Sequence, residues 1–528
     1  MPWGRTAARY RVAATIPESQ GPTLSPKQPP PLRRFEPKHR LELVPNSRVR
    51  AGSGGYSRAM MTRKVLGTTA IVALLLGTTN GIATAAPVYG SAGAGDAYYP
   101  EDGNGGYQVD DYDISIDYDP ASHQLKGVAK ISATTTQALK GFNLDLLGFT
   151  VDSVRVDSRD ASHRRESAHE LVVRPAGSLR KGQKFTVEVA YHGVPDPAGA
   201  WFLRPSGGAY AVGERQAASS WFPVNETPRD KATFTLRATV PAGWSVLSNG
   251  VRENVLNTAG KTTYTWRERT PITGYLTTIA IDRFTLLTQR RSNGMPLVSA
   301  FAPGTEGNIP VEKRLPEILD FEESLFGAYP IDTGGGVYEF GPFTGALEAQ
   351  GRSVYIIAQG SGTVANARNL VHENAHQWWG DSVSLWNWSD LCLKECVAAY
   401  TEDLWSAQKE GLDLDRNYRE TVSKNLTNPT FWSAKLHDGG PDSEMANAVY
   451  YRGPLFMHAL RRQVGDRAFF AALKAFPQAH RDSNATLQQF IASMECYSAQ
   501  DLSAFTRAWL DSTTIPADRY LWPGNLKP

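Results

Sequence analysis

The chain has 528 residues, 41% hydrophobic, 20% charged and 10% aromatic, with 47 glycines and 33 prolines, a composition that excludes a collagen, a coiled coil and a wholly disordered protein. At roughly 150 residues per domain the length corresponds to about two to four domains. A formal net charge of +2 points to neither a nucleic-acid partner nor a strongly acidic tail.

That near-neutral average hides an asymmetry. Residues 1–60 hold eleven Lys or Arg against three Glu, include Pro29-Pro30-Pro31, and lack the periodic apolar positions that build a core. Residues 1–59 are therefore expected to be a disordered basic extension, or to lie upstream of a true start at Met60 or Met61. Arg63-Lys64, an apolar run from Val65 to Leu76 and Ala83-Thr84-Ala85-Ala86-Pro87 follow, the three parts of a signal peptide over 60–86. The run is well short of the roughly 20 residues a membrane-spanning helix needs, and no cysteine stands at the cleavage point to take a lipid. A secreted, extracellular protein without a stable membrane anchor is expected. Past residue 86 the chain keeps 42 basic against 50 acidic residues, so the working protein is expected to be acidic and to have two domains.

Residues 87–104, rich in Gly, Asp and Tyr, read as a flexible lead-in. Period-two alternation then appears at Tyr112–Tyr118, Ala129–Ala133, Phe185–Val189 and Thr233–Ala238, predicting a β-rich domain over 105–295. After Pro310 the apolar spacing turns helical, at Ile318, Leu319, Leu325 and Phe326 and again over Leu455–Val464 and Ala468–Phe476, with a short strand near Val354–Ile357. Residues 296–528 are thus expected to be a mainly helical domain. Of the three cysteines, Cys392 and Cys396 stand four apart. On one helix their Cβ atoms would be roughly 5–6 Å apart, too far for a bridge, so buried thiols are expected.

The chemistry concentrates at His372-Glu373-Asn374-Ala375-His376. Histidines at i and i+4 on a helix share a face and can both reach one Zn²⁺. Glu395, nineteen residues after His376 on a second helix that Ser389-Asp390 is suited to cap, offers a third ligand. Glu373 projects about a hundred degrees from His372, placing it beside the metal as a general base, where zinc chemistry needs one.

HENAHQWWG at His372–Gly380, with Glu395, resembles the zinc signature of the aminopeptidase N family of gluzincins, which includes leukotriene A hydrolase. Gly345-Ala346-Leu347-Glu348 resembles that family's G-A-M-E-N motif. Tyr450-Tyr451-Arg452-Gly453 resembles its Tyr-x-Lys-Gly, and Glu214, nine residues before Pro223, falls where relatives contact the substrate's amino end. The resemblance implies an α+β multidomain fold, a saddle-like β-domain followed by a thermolysin-like catalytic domain. It implies one Zn²⁺ per chain on His372, His376 and Glu395, with Glu373 as base and Tyr450 as oxyanion donor. It further implies that Glu348 and Glu214 bind the substrate ammonium and that Gly345 and Ala346 bind the substrate backbone. The partners it implies are peptide substrates, not nucleic acid.

The sequence departs from the family pattern in several places. Ala349 replaces the motif's Asn, and Asn374 takes a usually apolar position that would need a hydrogen-bond partner. The family's Trp-Leu-Asn-Glu-Gly-Phe-Ala becomes Cys392-Leu393-Lys394-Glu395-Cys396-Val397-Ala398, and Arg452 replaces Lys. The helical C-terminal domain of larger members has no counterpart, so a more open cleft is expected. A secreted zinc aminopeptidase is the leading expectation. A zinc endopeptidase of the same clan and a non-catalytic binding module are the alternatives.

Overall fold

Alternating side chains in the N-terminal half become two-faced sheet. A computed structural model describes residues 86–196, 199–216, 218–360, 365–441 and 448–528. The expected basic extension and all but the last residue of the expected signal peptide lie outside these residues. Tyr107–Asp119 buries every second side chain along most of its length, and Gln124–Thr135 does the same. The two pair antiparallel, with Ile114 opposite Ala129. They sit at the middle of an eight-stranded sheet whose order is Val251–Thr258, Lys261–Ile272, Ala232–Pro241, Tyr107–Asp119, Gln124–Thr135, Lys184–Gly193, Thr150–Val156 and Arg159–Asp160. All neighbours are antiparallel except Tyr107–Asp119 and Ala232–Pro241, which run parallel. Two four-stranded sheets accompany it, one containing Leu139–Asp145 and Glu170–Arg174, the other Ala209–Ala211 and Ile279–Asp282. Trp221, Phe222 and Phe234 meet edge-on or tilted in the core of this β-rich domain.

The lead-in is not loose, as its composition suggested. Val88–Tyr89 adds a parallel strand beside Leu139–Asp145. Asp96 accepts a hydrogen bond from the Trp388 backbone at 2.9 Å, and Asn104 donates to Asp145 at 2.9 Å. These polar side chains find buried partners far along the chain, which composition does not reveal.

The second domain opens with a five-stranded sheet in the order Thr285–Arg290, Pro296–Phe301, Gly336–Gly341, Ser353–Ala358, Gly345–Leu347. The boundary expected at 295 therefore falls inside the hairpin of its first two strands. The single strand expected near Val354–Ile357 is one of a set, because Gly336–Gly341 and Ser353–Ala358 are buried on both faces and show no alternation. Gly345–Leu347 is the edge strand, antiparallel to Ser353–Ala358. Helices make up most of the remainder, chiefly Leu315–Phe326, Ala367–Ala375, Cys392–Glu410, Leu414–Asn425, Gly453–Val464, Asp466–Ala479 and Leu487–Ser498. Among the described residues no helix is long and apolar enough to cross a membrane.

Candidate active site

The helix Ala367–Ala375 starts with a reciprocal cap, in which the side chains of Asn366 and Asn369 each accept from the other's backbone N–H. Its far end is anchored by Trp378, whose indole donates to the Gly327 carbonyl at 3.1 Å, and by Trp379, stacked on Phe476. Held at both ends, the helix turns His372 and His376 toward Glu395, with all three side chains buried. His372 Nε2 and His376 Nε2 lie 3.3 and 3.5 Å from Glu395 Oε2, and one ligand atom from each of the three residues can be drawn within 4.8 Å of the others.

The chemistry of this donor set fits a metal. The Trp379 carbonyl can only accept, so His376 Nδ1 donates to it at 2.9 Å and leaves a lone pair on Nε2. His372 Nδ1 likewise donates to Glu402 Oε1 at 2.8 Å. Two imidazole lone pairs and a carboxylate oxygen then converge, and a cation satisfies all three, as at a zinc site with an oriented second layer. Glu402 was not foreseen, although it stands two helical turns after Glu395 on the same face.

Glu373 is buried beside this centre, and burial pushes its carboxyl up to about 7. Tyr450 tilts over His372 with ring centroids 5.9 Å apart. Burial, then Glu395 and Glu214, hold its phenol protonated, so it can donate. Arg452 has no place in the cleft. It is fully buried and donates to the carbonyls of Trp432, Ala434 and Trp509, fixing the segment that carries Tyr450. Asn374 satisfies itself within its own helix, donating to the Leu370 carbonyl at 2.8 Å.

Glu348 follows the edge strand that carries Gly345 and Ala346, and Glu214 approaches from the β-rich domain. Both meet Lys394, which sequence reading passed over. Its Nζ lies 2.6 Å from Glu214 Oε1, 2.6 Å from Glu348 Oε1 and 2.9 Å from Glu395 Oε1, above the Tyr275 ring. Burial alone would lower its pKa, but Glu214, Glu348 and Glu395 outweigh burial and raise it well above the ordinary value.

Two further expectations are corrected here. Cys392 and Cys396 are disulfide-bonded, with Cα atoms 4.8 Å apart, inside the range a bridge accepts. They occupy the first turn of Cys392–Glu410, where Lys394 N–H reaches back only three residues to Leu391. The i to i+4 Cα separation here is 4.8 Å, shorter than the roughly 6 Å that uniform α-helix geometry gives. Ser389 and Asp390 do not cap that helix. They lie in a preceding 3₁₀ turn, and Asp390 accepts from the Leu487 backbone instead. Cys496 is a free, exposed thiol.

Residues 108–276 match the peptidase M1 N-terminal domain and residues 357–509 the peptidase family M1 domain. The chain belongs to peptidase family M1. A zinc metallopeptidase of this family from Deinococcus radiodurans superposes with a TM-score of 0.72 at 26% identity, covering 80% of this chain and 98% of that one. Aminopeptidase N of Streptomyces lividans is 24% identical over 77% of this chain and 50% of its own length. Probable aminopeptidase 2 of Sulfurisphaera tokodaii is 23% identical over 77% of this chain and 54% of its own length. The chain thus spans about half the length of these curated relatives. The β-rich domain followed by a helical catalytic domain is the architecture of the M1 family.

Proposed function

We propose that this M1-family protein is a zinc-dependent aminopeptidase, hydrolysing the peptide bond next to the N-terminal residue of peptides. The convergence of His372 Nε2, His376 Nε2 and the Glu395 carboxylate, each histidine oriented through its other nitrogen, carries this reading. These residues would hold one zinc per chain. Bound there, zinc supplies Lewis acidity that polarises the scissile carbonyl and acidifies water.

The protein's own groups do the rest. Glu373 accepts the proton of the attacking water and passes it to the leaving amine, a task suited to a carboxyl pushed up to about 7. Tyr450 donates to the carbonyl oxygen as negative charge develops on it. Gly345 and Ala346, on an edge strand, offer backbone groups to an extended substrate. Glu348 and Glu214 mark the end of the cleft that receives the substrate's amino end. A crystal structure of the Deinococcus radiodurans metallopeptidase is described as bound to a Tyr-Ser-Ala substrate, which supports a short peptide here. The Cys392–Cys396 disulfide supports export to an oxidising compartment, as the leader-like segment over 60–86 suggests.

The test is peptide hydrolysis by the zinc-loaded protein, with products identified by mass. Release of single N-terminal residues, abolished by a chelator and lowered at least about 10²-fold by Glu373→Ala, is the expected result. Full activity in Glu373→Ala would overturn the mechanism.

A further inference from the structure

A second group of metal-ligating side chains lies in the β-rich domain, apart from the catalytic centre. Asp145 ends the strand Leu139–Asp145, Glu170 begins Glu170–Arg174, and the two stand directly opposite each other across the antiparallel pair. Only 2% of Asp145 and 4% of Glu170 is exposed. Like charges facing each other across strands destabilise a sheet, and buried charges need a counter-ion or a metal. Asp145 Oδ2 accepts from the Asn104 amide and the Glu226 N–H, each at 2.9 Å. Asp145 Oδ1 and Glu170 Oε1 are buried and have no hydrogen-bond partner among the described residues. Arg165, close by, spends its guanidinium on the carbonyls of Leu146 and Phe149. Asp102 and Glu226, both buried, add further negative potential at Asp145.

His169 completes the group. Its Nε2 lies 3.3 Å from the Glu101 carbonyl, which can only accept, so Nε2 carries the proton and Nδ1 keeps a lone pair. One ligand atom each from Asp145, His169 and Glu170 can be drawn within 4.8 Å of the others, little more than twice a metal–ligand bond of roughly 2.0–2.2 Å. His169 is half-buried, which leaves an ion a way in. One imidazole with two carboxylates is a donor set for manganese or zinc, whereas the two imidazoles of the catalytic centre give that centre first claim on zinc. Asn104 and Glu101, which orient Asp145 and His169, both belong to the lead-in 87–104.

We propose that Asp145, His169 and Glu170 form a second metal site, which takes one divalent cation of the manganese–zinc class and locks the lead-in onto the β-rich domain. It is structural and does not depend on the peptidase reading above.

The test adds Mn²⁺ to the zinc-loaded full chain and follows bound metal by electron paramagnetic resonance, with a melting curve for each protein. The wild type is expected to bind one Mn²⁺ beyond its zinc, with a nitrogen coupling from His169 and a raised melting temperature. His376→Ala is expected to keep that Mn²⁺, whereas Asp145→Asn and Glu170→Gln are expected to lose it. His169→Ala is expected to bind at least about tenfold more weakly and without the nitrogen coupling. A wild type that binds no Mn²⁺ more tightly than about 1 mM, or a folded Asp145→Asn or Glu170→Gln variant that binds it undiminished, would overturn the proposal. If those two variants do not fold, undiminished binding in His169→Ala overturns it instead. Mn²⁺ binding that disappears in His376→Ala belongs to the catalytic centre and overturns it as well.

Discussion

Glu402 shows how a residue that touches no substrate can still set the chemistry. By accepting from His372 Nδ1 at 2.8 Å it fixes the tautomer that aims Nε2 at the metal position, and its other oxygen pairs with Arg368 at 3.2 Å. Removing such an outer partner typically weakens metal binding about 10–100-fold. Glu402→Ala is expected to lose zinc to a competing chelator at correspondingly lower chelator concentration, with the fold retained. Unchanged zinc affinity would remove Glu402 from the site. Tyr450 makes a different demand, because its hydroxyl matters most as charge develops on the substrate. Tyr450→Phe is expected to lower kcat about 10²–10³-fold with little change in KM, and a change confined to KM would mean that the ring only packs.

The helix Cys392–Glu410 gathers most of the site onto one element. The disulfide pins its first turn, Lys394 and Glu395 project from that turn, and Glu402 follows two turns later. Gly453 begins the helix Gly453–Val464 that packs against it. A Cβ there would lie 3.0 Å from Cys396 Cα and 2.7 Å from its Sγ, so the two helices meet closely just past Tyr450. Gly453→Ala is expected to lower both the melting temperature and kcat, since the helices must part and carry Tyr450 away from His372. A variant with wild-type kcat would show that the contact is not needed to place Tyr450.

The same element marks what sequence could and could not reveal. His372, Glu373 and His376 were legible because their relation is local, fixed by one helical turn. Glu395 was legible through its spacing and its motif. Lys394 was not, because two of its partners, Glu214 and Glu348, are remote in sequence and meet it only through the fold. The disulfide was misjudged by applying uniform helix geometry to a first turn. The amphipathic strands of the β-rich domain announced themselves, whereas the catalytic domain's fully buried strands carry no alternation to read.

At the scale of the whole molecule, the site is assembled from both domains, since Glu214 and Tyr275 come from the β-rich part and meet Lys394 of the catalytic part. Buried carboxyls also occur away from the site. Burial raises Glu226 and Glu268 to about 8, and Asp230 and Glu312 to about 7. Above pH ~4.5 the unfolded chain has released these protons while the folded chain retains them, so raising the pH favours unfolding until the folded groups ionise too. In chelator-treated protein, which avoids the opposing pH dependence of metal binding, the melting temperature is expected to fall from about pH 5 to about pH 8. A melting temperature that rises across this interval would contradict that burial.

The central claim is that His372, His376 and Glu395 assemble one zinc site that drives peptide hydrolysis. A zinc titration of the chelator-stripped protein, read as the rate of peptide hydrolysis, tests it most directly. Activity should climb linearly and break at one zinc per chain, and His376→Ala should stay inactive through the same titration. Full activity before any zinc is added, or an undiminished rate in His376→Ala, would contradict it.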